Sequence, residues 1–184
     1  MSIVDEVNHI LGRLNALGGT QPSHGTLAMA GGFILCWGKF EHDCLGMIGQ
    51  AQLDQAPLNY RTSIQNFSAN KIPENADFSK FQPSFDFFRE RYHRIPRPTE
   101  HFAALIQADH SARHRIEQVL NAGPNSTREK VEALLLIAYR LRGNLVHGQK
   151  WTSGLDDQVG NFTHASRVLL GATEVSREPS ATRS

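Results

Sequence analysis

The sequence has little cysteine, no long apolar run and almost no net charge. Its 184 residues include two cysteines, Cys36 and Cys44. On one helix they would lie about 12 Å apart, too far for a disulfide bond, and two cysteines are too few for a cysteine-based zinc site. No apolar run approaches the roughly 20 residues that a membrane span needs. A net charge of +1 excludes a strong overall field that would draw the chain to nucleic acid or lipid.

The composition otherwise indicates a cytoplasmic protein that is rich in arginine. Residues 1–8 carry Asp5 and Glu6 and lack the basic and then apolar pattern of a secretion signal. Arginine supplies fourteen of the nineteen basic residues, and its planar guanidinium can donate to two phosphate oxygens at once. The bias favours a phosphate-bearing partner, although a biased genome composition would produce the same count.

Apolar residues recur at helical spacing in six segments, and no strand-like alternation is present. The segments cover residues 2–17, 27–48, 81–92, 100–121, 126–148 and 155–170. The polar stretch over residues 49–80 is predicted to be an irregular connection, with one short helix near Tyr60–Phe67. The sequence therefore predicts an all-α bundle of five or six helices. It forms one domain over residues 1–172, and a disordered tail follows over residues 173–184.

Polar residues concentrate at the end of the fifth predicted helix. Arg140, Arg142, Asn144 and His147 occupy the last two turns of an otherwise apolar segment. Arg140 and His147 lie on nearly one stripe of this helix, and Arg142 lies about 140° around the axis from His147. An imidazole with an ordinary pKa of about 6.5 moves protons near neutral pH, and guanidinium groups stabilise charge on phosphate. Metal-free cleavage of RNA by its 2′-hydroxyl requires these groups, although cationic residues in a last turn also simply cap a helix.

The same helix ends in the pattern Tyr-x-Leu-Arg-x-Asn-Leu-x-His-Gly-x-Lys, over residues 139–150. This pattern resembles the signature of the HEPN superfamily, in particular its Apea-like branch, in which an arginine precedes a histidine near the end of a long helix. Three other segments are similar to parts of that family. They are Trp-Gly-Lys-Phe-Glu at 37–41, Phe-Arg-Glu-Arg-Tyr at 88–92, and Ala-x-x-Val-Leu at 165–169. The resemblance thus spans residues 27–171.

The resemblance implies a HEPN-like helical domain that acts as a metal-independent endoribonuclease, without a cofactor, in toxin–antitoxin or antiviral defence. The expected partners are RNA, a second copy of the chain whose Arg–His motif shares the cleft, and an antitoxin or other protein; no membrane partner is expected. By this resemblance Arg142 and His147 form the catalytic pair, and Arg140 assists phosphate binding. Asn144 and Lys150 complete the RNA-binding residues that are predicted at this end of the helix.

One departure from the family pattern favours a second interpretation. Gly143 stands where the family usually has a polar residue after the motif arginine. The alternative is a non-catalytic HEPN module that binds a partner protein, a nucleotide or RNA. In either case, Leu136, Ile137 and Tyr139 lie off the main apolar stripe of the fifth helix and are predicted to suit a helix–helix contact in a two-fold dimer.

The densest basic run lies at the end of the third predicted helix. Its cationic residues are Arg89, Arg91, His93, Arg94 and Arg97, with Phe88 and Tyr92 between them. Such a run can follow an RNA backbone by releasing counterions, and Arg89 and Arg91 are accordingly predicted to bind RNA. The alternative is a solvated helix end in which Glu90 is the partner.

No metal site is predicted, although three groups of residues have spacings that metal ligands use. The groups are Glu6 with His9, Glu90 with His93, and His110 with His114 and Glu117. The two Glu-x-x-His pairs lie off the apolar faces of their helices, and Arg113 and Arg115 flank the third group. Solvated faces are therefore favoured over metal ligation.

Overall fold

A computed structural model describes residues 22–46, 59–94, 97–107, 109–121, 123–147 and 154–178, with the isolated positions 5, 9, 12 and 13. Within these residues there are seven α-helices: α1 (His24–Leu45), α2 (Tyr60–Lys71), α3 (Gln82–Tyr92), α4 (Glu100–Ile106), α5 (His110–Leu120), α6 (Thr127–Val146) and α7 (Val159–Arg177). Two short strands, β1 (His93–Arg94) and β2 (Arg97–Pro98), form an antiparallel hairpin between α3 and α4. The predicted all-α class is confirmed.

Most of these helices begin after an N-cap residue, whose side chain accepts a hydrogen bond from a backbone N–H of the first turn. The first turns of α1, α2, α4 and α5 donate to the side chains of Ser23, Asn59, Thr99 and Asp109, respectively. At the start of α6, Ser126 and Glu129 form a capping box, in which each side chain accepts from the backbone N–H of the other. These caps supply hydrogen bonds that a first turn cannot make within its own helix.

Helix α6 lies at the centre of the bundle. It packs against α2, α5 and α7, and α7 also packs along α1. Every residue from Val131 to Ala138 is buried, so α6 has no solvent face over these two turns. The predicted apolar stripe of α1 lies in the same core, where Phe33 stacks on Phe162 of α7 at 5.5 Å between ring centroids.

Several predicted boundaries are wrong. The helix predicted over 100–121 is two helices, because Gln107 has a positive φ of 51° that ends α4, and Asp109 caps a new helix. The connection over 49–80 contains the longer helix α2. The tail predicted from Thr173 also begins too early, because α7 continues to Arg177. The Thr173 side chain is buried and donates to the Leu169 carbonyl at 2.8 Å.

Other predictions fall outside the described residues. The helix predicted over 2–17 is described only at its four isolated positions, and nothing is described of residues 47–58 in the connection or of 179–184 in the tail. Among the residues that are described, no helix has both the length and the apolar character that would let it cross a lipid bilayer.

Close packing of α3 on α7 depends on Gly160. A β-carbon at this position would lie 2.8 Å from Cζ of Phe87, and the Phe87 ring is itself stacked on His164 at 4.1 Å between centroids. We expect Gly160→Ala to lower the free energy of unfolding by about 1–3 kcal/mol, because the ring must leave this position. Urea denaturation measures the change. Gly38→Ala on the exposed face of α1 is the control, since its β-carbon would meet no atom within 4 Å; equal stability of the two variants would contradict the prediction.

Candidate functional site

Arg142 lies against the face of an aromatic ring. Its guanidinium carbon is 5.7 Å from the ring centroid of Tyr60, which belongs to α2. The side chain is half-buried and makes no hydrogen bond or ion pair with any other described residue. Cation–π attraction holds a guanidinium over a ring, and its N–H donors point outward in the guanidinium plane. Arg142 is therefore held in place with its donors available for an anion.

The ring beneath Arg142 belongs to an aromatic platform formed by Trp37, Tyr60 and Tyr139. Tyr60 stacks on Tyr139 at 5.4 Å between centroids, and Trp37 lies 5.9 Å and 6.1 Å from the two tyrosine rings. The platform joins α1, α2 and α6. Because three helices hold it, the position of Arg142 is determined by packing across the bundle.

Glu41 fixes two members of the aromatic platform. The Tyr60 hydroxyl donates to its Oε1 at 2.6 Å, and the Trp37 Nε1 donates to its Oε2 at 2.8 Å. Burial, followed by the hydrogen bond to Glu41, raises the pKa of Tyr60 to about 12. The hydroxyl therefore remains a donor at neutral pH. The roles of Glu41 and Tyr60 were not predicted from the sequence, although the spacing of Trp37 and Glu41 on one helix allows their contact.

His147 is the C-cap residue of α6 and is exposed. Its backbone N–H donates to the Gly143 carbonyl at 3.0 Å. The imidazole forms no hydrogen bond with another described residue. His147 and Arg142 thus lie in the last turns of one helix, each with its polar side-chain atoms unbonded to the described part of the chain. Lys150, the other residue predicted here, lies outside the described residues.

Arg140 and Asn144 bind the end of α4. Arg140 donates to the carbonyls of Leu105 at 3.4 Å and Ile106 at 3.1 Å. Its Nη1 also lies 3.6 Å from a carboxylate oxygen of Asp109. A helix leaves its last carbonyls without partners, and Arg140 satisfies two of them.

Asn144, one turn further along α6, also binds the end of α4. Its amide nitrogen is 3.1 Å from the Leu105 carbonyl and 3.4 Å from that of Ala104, and its oxygen accepts from the Gln107 side chain at 3.3 Å. The Asn144 side chain is buried, with 3% exposure. The two polar residues predicted to bind phosphate therefore stabilise the junction of α4 and α6.

The two arginines predicted on α3 differ in their surroundings. Arg91 donates to the carbonyl and carboxylate of Asp157, at 3.0 Å and 2.5 Å, and its side chain is 17% exposed. This ion pair ties α3 to the turn before α7. Arg89 is half-buried and makes no hydrogen bond or ion pair with the described residues. Of the two, only Arg89 keeps its guanidinium available for a ligand.

The dimer surface predicted on α6 is wrong in two of its three residues. Leu136 and Ile137 are 2% and 0% exposed because α6 is surrounded by other helices. Tyr139 is half-buried within the aromatic platform. These side chains stabilise the bundle itself and leave no apolar stripe there for a second copy.

Gly143 lies in open space among the described residues. A β-carbon there would meet no atom within 4 Å, so packing within the described residues does not require a glycine. We expect Gly143→Ala to raise the free energy of unfolding of the monomer by about 0.5–1 kcal/mol, because alanine favours a helix. Urea denaturation at low protein concentration tests this. A monomer that is less stable would contradict this prediction and show that the fold of the chain needs the glycine. A variant that is more stable but cleaves RNA more slowly would indicate that RNA or a second copy contacts Gly143.

Two of the three groups with metal-ligand spacing lie within the described residues, and they form no metal site there; Glu6 of the remaining pair lies outside those residues. His110 and His114 are exposed on α5, and Glu117 pairs with Arg113 at 3.7 Å. Glu90 is exposed, whereas His93 is buried. Among the residues described, no three His, Cys, Asp or Glu side chains form a group that could hold a metal ion.

The structure thus divides the predicted site residues into two groups. Arg142 and His147 keep their polar groups unbonded to other described residues, whereas Arg140, Asn144 and Arg91 bind the protein itself. Comparisons with family models, with curated proteins and with solved structures find no match to this chain, and the HEPN resemblance stays a prediction.

Proposed function

We propose that this protein is a metal-independent endoribonuclease of the HEPN type, with Arg142 and His147 as its catalytic pair. The observation that carries the proposal is the division of the polar residues on α6. Arg140 and Asn144 bind α4, but Arg142 and His147 form no hydrogen bond with any described residue. A cationic side chain that only caps a helix binds its last carbonyls, and neither of these two does so within the described chain.

The proposed reaction is a transfer of phosphate within the RNA. The 2′-hydroxyl oxygen attacks the adjacent phosphorus, and the bond from phosphorus to the 5′-oxygen breaks. One imidazole takes the proton of the 2′-hydroxyl or gives a proton to the leaving 5′-oxygen. The guanidinium of Arg142 binds the phosphate oxygens, on which negative charge increases in the transition state. The products are a 2′,3′-cyclic phosphate and a 5′-hydroxyl, and no electron transfer or metal ion is needed.

A second copy of the chain would supply the second proton-transfer group. One chain carries a single Arg–His motif, whereas the reaction needs a base for the 2′-hydroxyl and an acid for the 5′-oxygen. Two motifs that meet at a two-fold axis would provide both. Light scattering at micromolar concentration tests this part of the proposal, since a monomer that cleaves RNA with unchanged specific activity on dilution would contradict it.

The decisive experiment is incubation of the purified protein with total RNA, with and without EDTA, followed by analysis of the fragment ends. We expect cleavage at the same rate in both samples, with 2′,3′-cyclic phosphate and 5′-hydroxyl ends. Loss of cleavage in EDTA, or fragments with 3′-hydroxyl and 5′-phosphate ends, would contradict the proposed chemistry. Co-purification of a protein that blocks cleavage would support the toxin–antitoxin setting.

One observation favours a second candidate, a non-catalytic module that binds RNA, a nucleotide or a protein. Arg140 and Asn144, which were predicted to contact phosphate, contact α4 instead. Only Arg142 and His147 then remain of the predicted site residues described on α6. This candidate predicts that RNA binds but is not cut, and the incubation experiment separates the two functions.

A further inference from the structure

The hairpin between α3 and α4 places two arginines directly opposite each other. In the register of β1 and β2, Arg94 pairs with Arg97. Side chains at directly opposite positions of an antiparallel pair lie on the same face, with β-carbons about 4.5–5.5 Å apart. Both arginines are exposed, and neither guanidinium group has a hydrogen bond or ion pair with any other described residue. Like charges in this arrangement destabilise a hairpin, so a bound anion would stabilise it.

Arg94 also lines a pocket of about 490 Å³ between the end of α3 and the start of α4. This volume falls within the range of small-molecule sites. His101 supplies an imidazole, Phe87 supplies an aromatic ring, and Glu90 and Glu100 supply two carboxylates. The wall beside them is fixed, because Arg91 is held by Asp157 and Phe87 is stacked on His164.

The mixture of groups in this pocket determines the class of ligand. Two neighbouring guanidinium groups match a phosphate, whose oxygens accept paired hydrogen bonds. The carboxylates of Glu90 and Glu100 would repel a bare phosphate, but they accept hydrogen bonds from the amino groups of nucleobases. An aromatic side chain such as Phe87 offers a surface for a planar base. A nucleotide carries all three complementary parts, whereas inorganic phosphate carries only the first.

We propose that this pocket binds one nucleotide unit, with its phosphate on Arg94 and Arg97 and its base beside Phe87 and the two carboxylates. Helix α4 connects the pocket, which its first residues line, to the last turns of α6, which bind its other end. Asn144, one turn before His147, binds the backbone at Leu105, and His101 lies one turn before Leu105 on α4. The inference rests on the proposed ribonuclease function, because the nucleotide would belong to an RNA strand that extends from the cleavage site. A free nucleotide offers the same chemistry, and the experiment separates the two sources.

The test is binding of a labelled 2′-O-methyl RNA oligonucleotide, followed by fluorescence anisotropy. This RNA has no free 2′-hydroxyl and cannot be cleaved by the proposed reaction. The variant Arg94→Ala/Arg97→Ala removes both guanidinium groups. We expect its Kd to rise about tenfold or more. The slope of log Kd against log salt should fall by about 0.7, because the two arginines hold one phosphate of a single strand. Its melting temperature should be unchanged or higher, because a like-charge pair is removed.

The matched control is Lys71→Ala/Arg177→Ala, which removes two positive charges from exposed positions on α2 and α7. Arg177 pairs with Asp43 at the surface, where loss of an ion pair changes stability little. Its Kd should change less than twofold. Equal weakening in both double variants would show that binding follows net charge alone and would overturn the proposal, as would an unchanged Kd for Arg94→Ala/Arg97→Ala.

Calorimetry with inorganic phosphate and the four ribonucleoside 5′-monophosphates identifies the source and class of the ligand. Binding of monophosphates that the double variant loses supports a free nucleotide, and binding of the oligonucleotide alone supports an RNA strand. Inorganic phosphate that binds as tightly as every monophosphate would overturn the nucleotide assignment. If the parent protein cuts RNA but the double variant binds normally, only this proposal fails. If the hairpin arginines bind the modified RNA but unmodified RNA stays intact, only the ribonuclease proposal fails.

Discussion

His147→Ala is expected to abolish RNA cleavage while it leaves the fold intact. The side chain is exposed at the end of α6 and bonds no other described residue, so the free energy of unfolding should change by less than about 0.5 kcal/mol. Loss of a group that transfers protons in the transition state lowers a rate by about 10²–10⁴-fold. Single-turnover cleavage of a defined RNA, together with urea denaturation of the same preparation, measures both quantities.

His114→Ala is the matched control for this experiment. His114 is another exposed histidine, in the middle of α5, and its removal should leave cleavage and stability unchanged. Cleavage at the parental rate by His147→Ala would refute the catalytic assignment. A loss of more than about 1 kcal/mol of stability would instead indicate that the imidazole caps α6.

Asn144→Ala is expected to lower the stability of the protein, in contrast to His147→Ala, which should leave it unchanged. The amide is buried and bridges the carbonyls of Ala104 and Leu105 to the side chain of Gln107. Truncation removes the hydrogen bonds to Ala104 and Gln107, leaves the Leu105 carbonyl with Arg140 as its side-chain donor and opens a small cavity. These losses should lower the free energy of unfolding by about 1–3 kcal/mol. Urea denaturation monitored by circular dichroism measures the loss.

The control for Asn144→Ala is Asn66→Ala on the exposed side of α2. The same atoms are removed from a helix there, and the stability should change by no more than about 0.5 kcal/mol. If Asn144→Ala were as stable as this control and bound RNA more weakly than the parent, the original assignment of Asn144 to phosphate binding would be supported instead.

The sequence predicted the helices whose local signals agree with their packing. The fifth predicted helix corresponds to α6, which has a long apolar run and begins at a capping box. The break at Gln107 was missed because Leu105, Ile106 and Ile116 continue at helical spacing on both sides of it. Asp109 was the available signal, since its side chain caps the second helix. The expected exposure of Leu136 and Ile137 failed for another reason: a central helix is buried on all sides, and its periodicity does not show which face is outermost.

The position of the candidate site could be predicted from the sequence. Which of its residues bind a ligand and which bind the protein itself could not. Arg140, Arg142 and Asn144 are similar polar residues in neighbouring turns, and their roles depend on what faces them. The unpaired carbonyls at the end of α4 bind Arg140 and Asn144, whereas the ring of Tyr60 faces Arg142. The contact between Tyr60 and Glu41 joins two helices. No spacing within one helix predicts such contacts, because they depend on the packing of the chain.

The short length of α4 has a consequence for local opening of the protein. Seven residues are far fewer than the roughly 12–15 that an isolated helix needs for marginal stability in water. Its persistence therefore depends on the burial of Phe102, Leu105 and Ile106 in the core. It depends also on Thr99 at one end and on Arg140 and Asn144 at the other. Backbone amides of α4 should exchange with deuterated solvent through a local opening that breaks these contacts, well before those of α6 exchange. The pocket wall that Glu100 and His101 form would move in the same event. The side chains of α6 that hold α4 would therefore affect the residence time of a nucleotide in the pocket.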